Sequence, residues 1–239
     1  MMGRTWLAAL GPLAALALLP AMAQAQAYQC RVPDRVSVPD IRADEQPRRV
    51  PTTGYTLALS WSPEHCKGRE TSARDALQCS GRNGRFGLIV HGLWPEGRST
   101  WPQWCPTSRR PSPAEAAKNL CMMPSTYLVA HEWAKHGACM TRRPETYYKV
   151  TRILWDSLTF PDFDRLSRKD GLNAGTLRAA FARANGPRWK AEHVGLKLNQ
   201  RGWLQELRLC YGRDFLPTRC NARQFGPRDN VKVKIWRGL

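Results

Sequence analysis

His131-Glu132-Trp133-Ala134-Lys135-His136-Gly137 gathers two imidazoles, a carboxylate and an ammonium within seven positions. Upstream, His91-Gly92-Leu93-Trp94-Pro95-Glu96 adds a third imidazole. The first run continues the pattern that starts at Ser125, so a helix is expected over 125–136, with Pro124 near its start and Gly137 as its C′ residue. The string is not the zinc-protease pattern HExxH. At ~100° per residue, His131 and His136 of a regular α-helix point about 140° apart and cannot clamp one metal from one face. Glu132 with His136 and His131 with Lys135 do share a face at i,i+4, as Glu132 and Lys135 do at i,i+3. A carboxylate and an ammonium beside an imidazole suit proton transfer next to a developing negative charge.

The two segments HGLWPE and HEWAKHGAC resemble the signature segments of the T2 ribonuclease family, in the family's order. The run Tyr55-Thr56-Leu57-Ala58-Leu59-Ser60-Trp61-Ser62-Pro63 resembles that family's first core strand, so the resemblance extends from about residue 55 to the C-terminus. It implies an α+β fold, an antiparallel sheet flanked by helices and stapled by disulfides. It implies attack of a ribose 2′-oxygen on the adjacent phosphorus, leaving a 2′,3′-cyclic phosphate. By the same resemblance His136 is the general base, His91 the general acid, Glu132 and Lys135 stabilise the transition state, and His131 holds the phosphate. No metal or other cofactor is called for, because Lys135 and a protonated imidazole supply the charge. Trp94 and Glu96 are candidates for a base site, the ring stacking and the carboxylate accepting from an exocyclic amine. The family more often carries Asp at the Glu96 position.

Eight cysteines fit an oxidising compartment but allow 105 pairings. The resemblance implies Cys105 with Cys139. Proximity suggests Cys66 with Cys79 and Cys210 with Cys220, and elimination leaves Cys30 with Cys121. No C-x-x-C pair speaks for a zinc ribbon.

The 239 residues fit a single domain after a leader. Residues 1–25 read as a signal peptide: Arg4, an apolar centre from Leu7 to Leu19, then small residues around Ala23 and Ala25. Residues 26–54 read as an extended arm rich in Pro, Arg and Asp, and 55–239 as the catalytic domain. The expected location is outside the cell or in the periplasm. No later apolar run is long enough to span a membrane. Lys and Arg number 37 against 19 acidic residues, a net +18, which suggests a polyanionic partner. RNA is the expected substrate, DNA is not, and the protein is expected to act as a monomer.

Strands are expected at Thr56–Trp61, Phe86–His91, Trp203–Tyr211 and Val231–Trp236. Ser112-Pro113-Ala114-Glu115 reads as a capped helix start with a capping-box glutamate. Pro144 to Leu158 reads as a helix with Tyr147, Val150, Leu154 and Leu158 on one face. Another follows Asn173, its stripe Leu177, Ala180, Phe181 and Ala184 ending at Gly186. His65 and His193 are read as structural or surface residues, and Trp133 as core. Two other readings compete with the ribonuclease. One is a secreted basic protein that binds nucleic acid without turnover, its tryptophans stacking on bases. The other is a zinc hydrolase built from His91, His131 and His136 on separate elements.

Overall fold

The computed structural model describes residues 29–238, so the expected signal peptide lies outside the described residues. Four strands form one antiparallel sheet in the order β2-β1-β4-β3: β1 Gly54–Trp61, β2 Leu88–Glu96, β3 Val194–Leu198 and β4 Leu204–Gly212. One face carries Leu57 and Leu59 of β1, Leu88, Val90 and Leu93 of β2, and Leu207 and Leu209 of β4. Helices cover it, with Trp133, Tyr147, Tyr148 and Phe181 fully buried against the strands. This is the α+β architecture expected, and Trp133 is core as expected.

Two of the strand expectations shift, and one strand was not expected. β2 begins at Leu88 and continues through the motif to Glu96, where a stop after His91 was expected. Pro95 is tolerated because β2 is an edge strand, so its missing N–H interrupts no second ladder. The tail over 231–236 makes only isolated bridges, Lys232 with Asn173 and Lys234 with Trp203. Its alternation is real, since Val233 and Ile235 are buried, but its hydrogen bonds go to Leu172 and to the turn before β4. β3 was missed because Gly195 breaks a five-residue pattern. That glycine is required, since a Cβ there would sit 2.0 Å from the Gln224 carbonyl oxygen.

Helix starts follow the caps. Ser112, Ser125 and Asn173 accept from the backbone N–H groups of Glu115, Leu128 and Thr176. Glu115 does not return the bond to Ser112; its carboxylate is taken by Arg152 at 2.8 Å and Lys118 at 3.6 Å. The helix Pro144–Asp156 ends two residues before Leu158 and buries Tyr147, Tyr148, Thr151, Leu154 and Trp155. The helix Ala174–Ala184 buries Leu177, Ala180 and Phe181, and Gly186 follows with a φ of 80°. It also buries Arg178 completely, the guanidinium bonded to Asp229 and three backbone carbonyls.

The structure holds four disulfides: Cys30–Cys121, Cys66–Cys79, Cys105–Cys139 and Cys210–Cys220. Cys30–Cys121 ties the N-terminal stretch to the loop ahead of the histidine-bearing helix. Further along that stretch, Arg48 and Gln103 exchange two backbone bonds of 2.9 Å. Among the described residues no helix is long and apolar enough to cross a membrane.

Candidate active site

Each histidine segment owes its aim to an irregularity of its own. On β1, Ala58 faces Gly92 while the next residue, Leu59, faces Val90, so His91 is an extra residue bulged out of β2. In an unbroken strand His91 would share the face of Leu93 and enter the apolar core. The bulge keeps Val90 and Leu93 in the core and turns His91 to the opposite face.

The helix Thr126–Glu132 likewise runs into a π turn, Trp133–Gly137, before a last short piece, Ala138–Met140. The Ala138 N–H donates to the Trp133 carbonyl five residues back. His131, just before this widened turn, and His136, within it, both line one cleft, together with Glu132 and Lys135. Gly137 is not a C′ residue, having helical φ and ψ of −63° and −39°. It is glycine because a Cβ would meet the rings of Trp133 at 2.7 Å and Tyr147 at 2.9 Å.

The cleft has a volume of about 290 Å³ and is lined by all five expected catalytic side chains, with Trp94 and Glu96. His91 is held between two carboxylates. Its Nδ1 lies 2.9 Å from Glu206 Oε2, and its Nε2 lies 3.7 Å from Glu132 Oε1. Burial works against a proton on this ring. The bond to Glu206 and the charges of Glu132 and Glu206 outweigh it, so the His91 pKa stands above its ordinary value. Burial would also raise the Glu206 carboxyl, but His91 and Arg208 bring it down to about 2. Glu132 is pushed by burial up to about 7, against the His91 charge and the 2.7 Å bond it accepts from Trp94 Nε1. Gly92 makes room for this bond, since a Cβ there would fall 1.9 Å from Glu132 Oε2.

His136 has the opposite surroundings. Burial, then the charges of Lys135, His131 and His91, hold its pKa well below the usual value. Its Nδ1 is buried and, among the described residues, accepts and donates nothing. Trp94 stands beside both rings, with centroids 5.2 Å from His91 and 5.5 Å from His136. His131 packs on Tyr127 and edge-on to Trp104, and burial with Lys135 lowers its pKa too.

Several groups at the cleft were not foreseen. Glu206 and Arg208 come from β4, where alternation announced a strand but not which face reached the site. Lys135 is ion-paired with Glu45, and Asp44 lies 4.0 Å away, both from the N-terminal stretch. Gln103, itself fully buried, donates to the other Glu45 oxygen at 3.0 Å. No sequence signal links residues ninety positions apart. Glu96 is already engaged on both oxygens, by Thr56 Oγ1 at 2.7 Å and Arg223 Nη2 at 2.6 Å. Trp101 lines the same end, with the guanidiniums of Arg48 and Arg223 4.9 and 4.6 Å from its ring centre. Among the described residues no group of three or more His, Cys, Asp or Glu is arranged to hold a metal ion. His65 bonds Asp75 at 3.1 Å, and His193 accepts from the Lys190 N–H, both away from the cleft.

The model of the ribonuclease T2 family matches residues 53–169, which include both histidine segments. A ribonuclease of Aeromonas hydrophila is 42% identical over 100 residues, 42% of this chain and 43% of that protein. A Haemophilus influenzae protein named as a probable ribonuclease is 28% identical over 190 residues, 74% of this chain and 64% of that one. The chain thus spans less than two thirds of either relative. Among solved structures, trichomaglin, described as an S-like ribonuclease, superposes with a TM-score of 0.59 at 21% identity. It covers 77% of this chain and 98% of its own.

Proposed function

The chain belongs to the ribonuclease T2 family, and from that premise we propose that it is an endoribonuclease cleaving RNA through a 2′,3′-cyclic phosphate. The observation that carries this reading is the opposed setting of two histidines on one cleft. His136, short of protons, is suited to take the proton of a ribose 2′-OH. His91, rich in them, is suited to give one to the departing 5′-oxygen. The 2′-oxygen bonds to phosphorus as the bond to the 5′-oxygen breaks, and one proton enters and one leaves the protein. Lys135 and His131 face the negative charge that builds on the phosphoryl oxygens. Glu132, held by the bond from Trp94 Nε1 and standing 3.7 Å from His91 Nε2, would share in stabilising the transition state. This chemistry asks nothing of a metal.

The base site in this reading is the end of the cleft at Trp101, Trp94 and the Glu96–Arg223 pair. Glu96 there orders Arg223 and Thr56 as well as facing a base. A single copy supplies every group named, so we propose that the protein works as a monomer. Four disulfides support export to an oxidising compartment, the periplasm or the medium. We keep the division into leader 1–25, arm 26–54 and catalytic domain 55–239.

The test is an RNA oligonucleotide carrying 2′-deoxyribose at one position, incubated with and without chelator and resolved by mass. Cleavage ending in cyclic phosphate at every site except the deoxy position, unchanged by chelator, is the expected result. Cleavage at the deoxy position would overturn the mechanism. Binding without any cleavage would favour a protein that only holds RNA.

A further inference from the structure

β2 and β4 are not neighbours; β1 runs between them, so the strands carrying His91 and Glu206 lie roughly 9–10 Å apart. Their side chains nevertheless meet at 2.9 Å, reaching towards each other over β1. The β1 residues beneath them are small. Ala58 pairs with Gly92 on one side and Arg208 on the other, and Ser60 pairs with Ile89 and Glu206. Glu206 is almost wholly buried, and its second oxygen accepts from Arg208 Nε at 2.9 Å. Arg208 is anchored in turn by the Arg223 carbonyl at 3.2 Å. A buried carboxylate bonded to a cation on one side and an imidazole on the other has a directed task. Resting on the ribonuclease reading, we infer that Glu206 is a positioning residue for His91: it takes the Nδ1–H, fixes the ring's direction and tautomer, and leaves Nε2 to carry the transferable proton.

The charged and titratable groups facing His91 come from three elements. Glu206, with Arg208 behind it, comes from β4; Glu132, His131 and His136 come from the histidine-bearing helix; Lys197 comes from β3. Among the described residues only Glu206 makes a hydrogen bond to the ring. Glu132, at 3.7 Å from Nε2, is near enough to favour the imidazolium and too far to hold its proton. The proton on Nε2 therefore remains available to a leaving oxygen, and Glu206 stays ionised throughout.

The test has two readouts. Nitrogen-15 NMR of histidine-labelled protein without RNA reads the His91 tautomer directly. The expected neutral form keeps its hydrogen on Nδ1, and in Glu206→Gln that preference is lost. With RNA, Glu206→Gln should lower the descending limb of the kcat pH profile by about 1 unit or more, with KM little changed. Glu206→Asp should recover part of the shift. A wild-type protein whose neutral His91 carries its hydrogen on Nε2 overturns the inference, and this needs no variant to fold. A Glu206→Gln protein of lowered Tm with an unmoved tautomer and limb overturns it too, as a purely structural role would give that result. Absence of RNA cleavage would instead strike at the ribonuclease reading, leaving the NMR result to stand by itself.

Discussion

β2 around His91 and the helix around His136 use the same device on different secondary structures, and the surroundings they deliver are opposite. Each element carries one residue too many, a bulge at His91 and a π turn over Trp133–Gly137. Each extra residue turns a histidine out of the register that hydrophobic packing would impose. On the strand the new aim is towards Glu206 and Glu132; on the helix it is towards Lys135 and His131. The backbone sets direction, and the neighbours set the proton count. The proposed acid and the proposed base therefore differ in the charge that surrounds them before any substrate is considered.

The largest effects should come from the histidines themselves, and they should differ in kind. His136→Ala and His91→Ala should each lower kcat by about 10²–10⁴-fold with RNA binding kept, as measured by single-turnover cleavage and fluorescence anisotropy. A uridine 3′-aryl phosphate, whose leaving group needs no proton, should restore much of the activity of His91→Ala and little of that of His136→Ala. Restoration of the reverse pattern would exchange the two roles.

Next comes the geometry that lets the two settings meet. Gly92→Ala would place a methyl group 1.9 Å from Glu132 Oε2 and 2.6 Å from Trp94 Nε1. Moving that carboxylate by about 1 Å should cost up to about 10²-fold in kcat. The measurement is kcat at fixed pH, alongside a thermal melt to show that the fold survives. Activity within twofold of the parent would mean that Glu132 need not stand where it does.

How far the sequence could be read follows the same division. Alternation in β1 and β4 and the caps at Ser112, Ser125 and Asn173 are local signals, and they located most elements to within a few residues. The identities of the five side chains were legible because they sit in two short runs. Their relative angles were not, since neither a bulge nor a π turn announces itself in residue type. The regular-helix geometry assumed for 131–136 gives way to a π turn at Trp133–Gly137, and His131 and His136 line one cleft without forming a metal site among the described residues. Glu206 reaches His91 across 115 positions and Glu45 reaches Lys135 across 90, where no periodicity reaches.

The pH profile sharpens the comparison further. The rate should rise as His136 loses its proton, below pH about 6.5, and fall as His91 loses its own, above about 6.5. The result is a broad bell straddling the ordinary histidine value. Lys135→Gln removes a cation that holds the His136 pKa down, so the ascending limb should move up in pH while the descending limb stays nearly still. The amplitude should also fall if Lys135 stabilises the phosphoryl oxygens as proposed. Limbs that move together would show a general change of field instead of two separate settings.

The smallest effect concerns the anion bonded to Lys135 on the cationic side. Glu45 is ion-paired with Lys135, and its pKa is lowered, first by that bond and then by the one from Gln103. A substrate phosphate approaching Lys135 must compete with this carboxylate. Its pair is nearly half exposed on the Glu45 side, so it is worth only about 0.2–1 kcal/mol. Glu45→Gln keeps the shape and the Gln103 contact while removing the charge, so KM for RNA should fall by about 1.5- to 5-fold with kcat almost unchanged. The gain should shrink in high salt, where the exposed charge is screened already. If instead kcat drops and KM holds, Glu45 is needed to keep Lys135 extended towards the phosphate. The cationic setting of His136 would then depend on an anion in the same way that the anionic setting of His91 depends on Arg208.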